Sequence, residues 1–473
     1  MALNPAPKKR NRWRRIVRIL LLGLACVLAG AVAVYLWSKS APLTERQREA
    51  LELFRNQQPY SGRNAFDAMW LLDRDTPTDE ADLRAITEAD MRSHTEWWRD
   101  RLDENNIEKD GPLWTAPSDS KYANLLAPQE SDPPWCKPLE WGKCLQQVRA
   151  DPLTYAQLLE RHEALSTRID ALAQYARYEN EFPPGAARPL PRFQILLTLP
   201  LTREAQAIAQ DDAVSALAIG CRNLQLGTML ATRSRDLLSG TVGARLIASQ
   251  VQALAWILAT YPAQAIPESC VSATAALTPD DFDLCPHLHA EWEDHLAMFP
   301  PGGVKGTSRL VLDAGKTSAR LADAYAESCR APAREQLLQD LPVDDPPSVS
   351  AGLLSRECLA NSVGCMLSDI ARPTFAGYQH RLQDAWAVRQ ALRSLIWLHA
   401  QAQTATLLKD GDGAGLIERL GERPQDMKTP ARRTAITAQP DGSLVLGVPL
   451  YDQTLRKQLG QDALQLPLTV VGD

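Results

Sequence analysis

Nine cysteines occur without a single C-x-x-C pair, and the 473 residues hold neither G-x-S-x-G nor H-E-x-x-H. The first absence weakens zinc binding, where closely spaced cysteines commonly supply paired ligands. The second removes the strained elbow that exposes a hydrolase serine. The third leaves His162-Glu163-Ala164-Leu165-Ser166 with Ser166 where a peptidase needs its second histidine, so His162 reads as a helix-seam residue. Two further look-alikes fail on single positions. Gly315-Lys316-Thr317 ends like a phosphate loop, but Leu310 occupies the position of the earlier glycine. Asp410-Gly411-Asp412-Gly413 opens like a calcium loop, yet Ala414 and Gly421 stand at ligand positions, which leaves a helix-ending turn. No segment of about 30–45 residues recurs, so no solenoid is expected.

The first forty residues contain no acid and eight bases, and the first acidic side chain is Glu45. Within that region Ile16 to Trp37 is apolar apart from Arg18, preceded by Lys8, Lys9, Arg10, Arg12, Arg14 and Arg15. A helix of about 20 residues spans a bilayer core of roughly 30 Å. Basic residues stay on the cytoplasmic side, so residues beyond Trp37 are expected to be exported, with Trp13, Tyr35 and Trp37 at the interfaces. A cleaved signal would have a shorter apolar run, although Ser38 to Ala41 offers a trimming site. A lipoprotein reading would use Gly23-Leu24-Ala25-Cys26, but the apolar run continues far past Cys26. Ala29 and Ala33 have the small-xxx-small spacing that allows a homodimer through the membrane.

The net charge is −6, so the part beyond residue 40 carries −14. That balance argues against nucleic acid as a partner. Eight cysteines follow the anchor: Cys136, Cys144, Cys221, Cys270, Cys285, Cys329, Cys358 and Cys365. An even number in an oxidising compartment suggests disulfides. Pairing nearest neighbours gives Cys136–Cys144, Cys270–Cys285 and Cys358–Cys365, leaving Cys221–Cys329. In continuous helix Cys358 and Cys365 would lie about 10 Å apart, beyond bridging range, so a break is needed near Asn361 or Gly364.

The expected fold is mainly α: a helical hairpin or bundle domain with one N-terminal transmembrane helix and a small C-terminal β appendage. The boundaries are a cytoplasmic tail 1–15, an anchor 16–37, a periplasmic helical domain 38–342, a second helical section 348–430 packed on it, and the appendage 431–473. Thr44 and Gln47 form a capping box. Helices follow through Ala65–Leu72 and about Thr78–Asn105, the latter burying Leu83, Ile86, Met91 and Trp98. An irregular, cysteine-stapled stretch fills Gly111 to Pro152. The seam Tyr155, Leu158, His162, Leu165, Ile169, Leu172 and Ala176 predicts one helix ended by Pro183-Pro184-Gly185. Thr202–Leu238 and Val242–Tyr261, joined near Ser239-Gly240, form the core hairpin, with Gly220 and Gly227 allowing close packing. Arg222 and Arg245 argue against further membrane spans. A short helix ends at Phe299 before Pro300-Pro301-Gly302-Gly303, and Val343-Asp344-Asp345-Pro346-Pro347 is a linker. Phe375 to His399 is helical, Thr434–Val448 reads as two strands turning at Asp441-Gly442, and Leu466–Val471 supplies a third.

The stretch Gly62-Arg63-Asn64-Ala65-Phe66-Asp67-Ala68-Met69-Trp70-Leu71-Leu72, with the anchor plan, resembles uncharacterised membrane-anchored proteins of gammaproteobacteria. The resemblance implies no activity. One cluster of possible chemistry remains, Cys285-Pro286-His287-Leu288-His289-Ala290-Glu291-Trp292-Glu293-Asp294-His295. On a helix His287, Glu291 and His295 share a face, but about 12 Å separates the two histidines, too far for one ion. Glu291 and His295 are the candidate ligands, for zinc, completed from elsewhere; otherwise the face is charged and solvated. Asp211-Asp212 reads as a solvated face, and of Trp97-Trp98 one must point outward, where it could anchor a partner. The functional expectation is a non-catalytic, inner-membrane-anchored periplasmic protein. It would bind another envelope protein, as a scaffold or as an inhibitor of a periplasm-acting toxin. The alternatives are a metal-dependent hydrolase centred on His287–His295 and a plain envelope spacer.

Overall fold

The computed structural model describes residues 10–103, 114–129, 132–185, 188–298, 306–345, 352, 355–370, 375–401, 407, 412–429 and 431–469. It is mainly helical, with one three-stranded sheet near the C-terminus. Two compact units are each assembled from separated stretches of chain. Met1–Arg55, Met298–Tyr325 and Pro346–Pro373 make the first; Asn56–Ala297, Ala326–Asp345 and Thr374–Asp473 make the second. One passage between them falls at Asp345, inside the stretch that reads as a linker, of which Pro346 and Pro347 lie outside the described residues.

In the first unit the N-terminal helix Arg10–Lys39 is long and apolar enough to cross a membrane, and its apolar window is not buried by the protein. Its C-terminal end is tightly held. Ser38 is wholly buried, donating from Oγ to the Arg356 carbonyl (2.6 Å) and accepting from the Ala360 amide (2.8 Å). Lys316 Nζ donates to the carbonyls of Ser38 (3.0 Å) and Lys39 (2.9 Å). The lysine thus satisfies two terminal carbonyls and sets a cation at the negative end of the helix dipole. Within Gly315-Lys316-Thr317 it is Lys316 that makes these contacts. The Arg356 guanidinium lies over the Trp37 ring at 4.8 Å. Thr44 and Gln47 make both bonds of their capping box, at 3.0 and 3.2 Å, and open the helix Glu45–Arg55. Cys358 and Cys365 are bridged with Cα atoms 5.7 Å apart, because helix begins only at Ser362 and Asn361 is the break.

The second unit is built on the helices Gln194–Ala209, Ala213–Thr232 and Leu237–Thr260. The expected single helix Thr202–Leu238 is interrupted twice, each time where an aspartate caps a new start. Asp212 accepts from the Ser215 amide (3.0 Å) after Asp211 at φ +59°, and Asp236 accepts from the Ser239 amide (2.8 Å). Asp211-Asp212 is therefore a turn and cap, and Ser239-Gly240 sits inside the next helix instead of joining two. Close packing rests on glycine. A Cβ on Gly243 would lie 2.4 Å from the Ala231 amide nitrogen, and one on Gly227 would lie 2.8 Å from Leu246 Cβ, so these backbones touch. Leu237–Thr260 passes the length and hydropathy test for a membrane span, but 78% of its apolar window is buried, as a core helix requires.

Disulfides correct two of the expected pairings. Cys136–Cys144 stands, but Cys221 bridges Cys270 (Cα–Cα 4.8 Å) and Cys285 bridges Cys329 (5.0 Å), not Cys270–Cys285 and Cys221–Cys329. Loop-closure entropy grows only slowly with length, so proximity along the chain ranks such pairs weakly. The seam helix is two helices, Pro152–Arg161 and Glu163–Leu172, broken at His162, whose Nδ1 meets the Leu158 carbonyl at 2.8 Å. It ends at Leu172, well before Pro183. The stretch expected to be irregular contains helices Pro117–Lys121 and Trp141–Ala150. In Glu80–Asp103 the buried line is Leu83, Thr87, Asp90 and His94, not Leu83, Ile86, Met91 and Trp98. Asp90 makes the polar line tolerable by accepting from Trp70 Nε1 (2.8 Å) and from the amide and hydroxyl of Ser118 (3.0 and 2.5 Å). Pro300 to Gly303 lie outside the described residues.

The sheet runs β1 (Ala435–Ala438), β2 (Leu444–Pro449) and β3 (Ala463–Pro467), all antiparallel, with Leu446 opposite both Ile436 and Leu466. β3 starts earlier than expected, and a helix, Gln453–Leu459, fills the crossing between β2 and β3.

Glu204 is wholly buried in Gln194–Ala209, and burial pushes its carboxyl well above the usual range against the opposing pull of Gln250 and Arg203. The folded chain therefore holds a proton that the unfolded chain releases above its ordinary pKa of 4.5. Stability contributed by this site is full below that value and falls as pH rises, by up to about 1.4 kcal/mol per pH unit. Glu204→Gln should gain stability on the parent between about pH 5 and about pH 8 in thermal melts. Parallel curves would show that Glu204 is not held neutral.

Candidate functional site

The lone charge in the 24-residue helix Leu237–Thr260 is Arg245. It opens into a cleft of about 250 Å³ in the second unit, between this helix, the helix Ala376–His399 and the helix Gln453–Leu459. Ala244 and Ala248 form one wall, Ala385 and Val388 the opposite one, and Leu455 the third side. Arg245 Nη2 donates to Gln458 Oε1 at 2.7 Å, a neutral partner. No carboxylate lies within ion-pair distance of Arg245 among the described residues. Burial lowers its pKa, with Asp452 acting against and Arg381 reinforcing that direction. Arg381 itself reaches Asp452 at 3.3 Å. Asp452 is committed in turn to the start of its own helix, accepting from the Thr454 amide at 3.0 Å.

The third wall is held in place by a buried ionic clasp. Arg432 Nε donates to both carboxylate oxygens of Asp340 (3.0 and 3.1 Å), and its Nη1 to Asp384 (2.5 Å) and to the Pro449 carbonyl (3.0 Å). The Arg432, Asp340 and Asp384 side chains are at most 2% exposed. Asp384 also accepts from the amides of Tyr451 and Asp452 (both oxygens 2.8–3.1 Å), and the Tyr451 ring covers the guanidinium at 3.9 Å. Burial raises the pKa of both aspartates and Arg432 opposes the shift. One side of Asp384 thus faces the cleft while its oxygens anchor the chain leaving β2.

The sequence-derived metal candidates occupy a different place. His287 closes the 3-10 turn Cys285–His287, and the helix carrying Glu291 and His295 starts at Leu288, so the three do not share one helical face. His287 is buried against Gly240, its Nε2 facing the Ala231 carbonyl (3.0 Å) and its Nδ1 the Ser234 hydroxyl (3.2 Å). Burial lowers its pKa to about 4. Ser234 is wholly buried and donates to the Leu230 carbonyl of its own chain turn (2.6 Å), so the pair is a core contact. Glu291 is pushed up to about 7, first by burial and then by Asp236 and Asp294. His295 Nδ1 meets the Glu291 backbone carbonyl at 2.6 Å. Among the described residues no three His, Cys, Asp or Glu side chains gather as a metal site. Asp412 begins the helix Gly413–Gly421 by accepting from the Gly415 amide (3.0 Å), so the calcium-like stretch starts a helix where an ending was expected; Asp410 and Gly411 lie outside the described residues.

No family model, curated protein or solved structure matches the chain. The cleft residues were not singled out by motif. The signal that marks them is compositional: one half-buried arginine in an otherwise uncharged, Ala-rich helix.

Replacing Arg432 by Met should strand Asp340 and Asp384 as unpaired buried carboxylates and cost about 3–5 kcal/mol in urea unfolding. A loss below about 1 kcal/mol would mean that the clasp does not hold the appendage.

Proposed function

We propose that the chain is a membrane-anchored, non-catalytic binding protein whose exported part engages another envelope protein through the Arg245 cleft. Either an envelope scaffold or an inhibitor of a periplasm-acting toxin fits this plan. The supporting observation is the arginine itself: a half-buried guanidinium, held by a neutral glutamine and walled by alanine, valine and leucine. A charge kept in such a place without a carboxylate of its own is an unmet demand for a partner group. Export agrees with the basic flank before the apolar helix and with four disulfides, which persist in oxidising compartments. The anchored end, clamped through Ser38 and Lys316, keeps the first unit at the surface that the helix enters.

A photo-crosslinking amino acid at Thr454, on the exposed rim of the cleft, tests this in intact cells. One stoichiometric envelope protein should be captured, and capture should be lost in Arg245→Gln. Capture of no partner, or capture indifferent to Arg245, would contradict the reading.

A further inference from the structure

We infer that the Arg245 cleft is a carboxylate-binding site, taking a single planar carboxylate carried on a small branched or aromatic apolar body. The inference deepens the binding role proposed above, and rests on it only where the carboxylate is taken to be the C-terminus of a partner polypeptide. Three features of the cleft lead to this chemistry.

The first is donor geometry. Guanidinium presents five N–H donors in a rigid fork matched to carboxylate. Gln458 accepts one from Nη2 at 2.7 Å, which orients the group toward the helix Gln453–Leu459 and leaves its other donors to a ligand. An oriented group loses less conformational freedom on binding. The second is charge. The lining carries two arginines and two aspartates; Arg381 engages Asp452 and Arg432 engages Asp384, which leaves Arg245 as the lining cation without an ion pair among the described residues. A dianion such as phosphate would bring its second charge up against Asp452 and Asp384, whereas a carboxylate is neutralised by Arg245 alone. Burial already disfavours the bare cation, and a carboxylate would relieve that.

The third is size. The cleft holds about 250 Å³, room for about eight waters at roughly 30 Å³ each. That suits a body of the bulk of a leucine or phenylalanine side chain and is too small for a nucleotide. The small side chains Ala244, Ala248 and Ala385 make the space. They leave an apolar floor below a charged rim, the usual division in a ligand pocket.

The test uses the full chain in lipid nanodiscs and titration calorimetry with 4-methylpentanoate, an acetylated tripeptide ending in leucine as the free acid, the same tripeptide as its amide, and inorganic phosphate. At least one acid should bind with Kd below about 1 mM. The amide and phosphate should not compete, and Arg245→Gln should weaken binding by about tenfold or more. Arg245→Lys should be intermediate, because it keeps the charge and loses the fork. Ala248→Leu, which fills the cleft and leaves Arg245 intact, should also abolish binding, and far-ultraviolet dichroism checks that each variant is folded. Tighter binding of the tripeptide acid assigns the ligand to a polypeptide C-terminus; tighter binding of 4-methylpentanoate assigns it to a free organic acid. Absence of binding by both acids, equal binding of the amide, competition by phosphate, or indifference to Arg245→Gln overturns the inference. Crosslinked capture at Thr454 without acid binding would sink the carboxylate and leave the partner protein standing. Acid binding without capture would do the reverse.

Discussion

The buried clasp of Arg432 between Asp340 and Asp384 is the interaction on which the rest of the second unit's functional face depends. Three charges at most 2% exposed are held by their mutual bonds: Asp340 takes two bonds from Arg432 Nε, and Asp384 takes Arg432 Nη1 together with the Tyr451 and Asp452 amides, while Arg432 Nη2 stays without a hydrogen-bond partner. Such an arrangement is poor as a source of net stability and good as a register device, since a one-residue slip would leave charges unpaired. What it registers here is the chain after β2. Tyr451 and Asp452 are pinned to the helix Ala376–His399, Asp452 then caps Gln453–Leu459, and that helix carries Leu455 and Gln458 to Arg245. A β appendage of three short strands is in this way made into one wall of a cleft.

The first unit shows the same economy of a few polar contacts at a chain end. Lys316 and the buried Ser38 finish the N-terminal apolar helix with side-chain bonds where an unfinished helix would present bare carbonyls. The contacts come from residues about 280 and 320 positions away in sequence, so the end of this helix is shaped by tertiary structure and not by local capping signals.

Much of this architecture was legible in the chain. The N-terminal apolar helix, the capping box at Thr44, the helix from Phe375 to His399 and the turn at Asp441-Gly442 all follow local rules, and all are present. The errors cluster where a polar residue overrides an apolar pattern. Asp212 and Asp236 cap helices inside a run that hydropathy alone joins, and His162 breaks a seam it was taken to continue. Asp90 and His94 occupy a buried line that periodicity assigned to Met91 and Trp98. Two of the four disulfide pairings failed for a different reason: which of Cys221, Cys270, Cys285 and Cys329 meet is decided by how helices pack, not by spacing. The cleft was invisible because its residues come from three segments spread over 241–248, 381–388 and 452–458 with no motif in any of them. Of these residues the sequence marks only Arg245, which with Arg222 argues against a further membrane span.

Hydrogen exchange followed residue by residue in the Arg432→Met variant tests most directly whether the clasp organises this face. The account predicts that amides of β2, Tyr451 and Asp452 exchange at least about tenfold faster, while the core of Ala213–Thr232 and Leu237–Thr260 keeps its protection. Unchanged protection throughout, or a uniform loss across both regions, would contradict it.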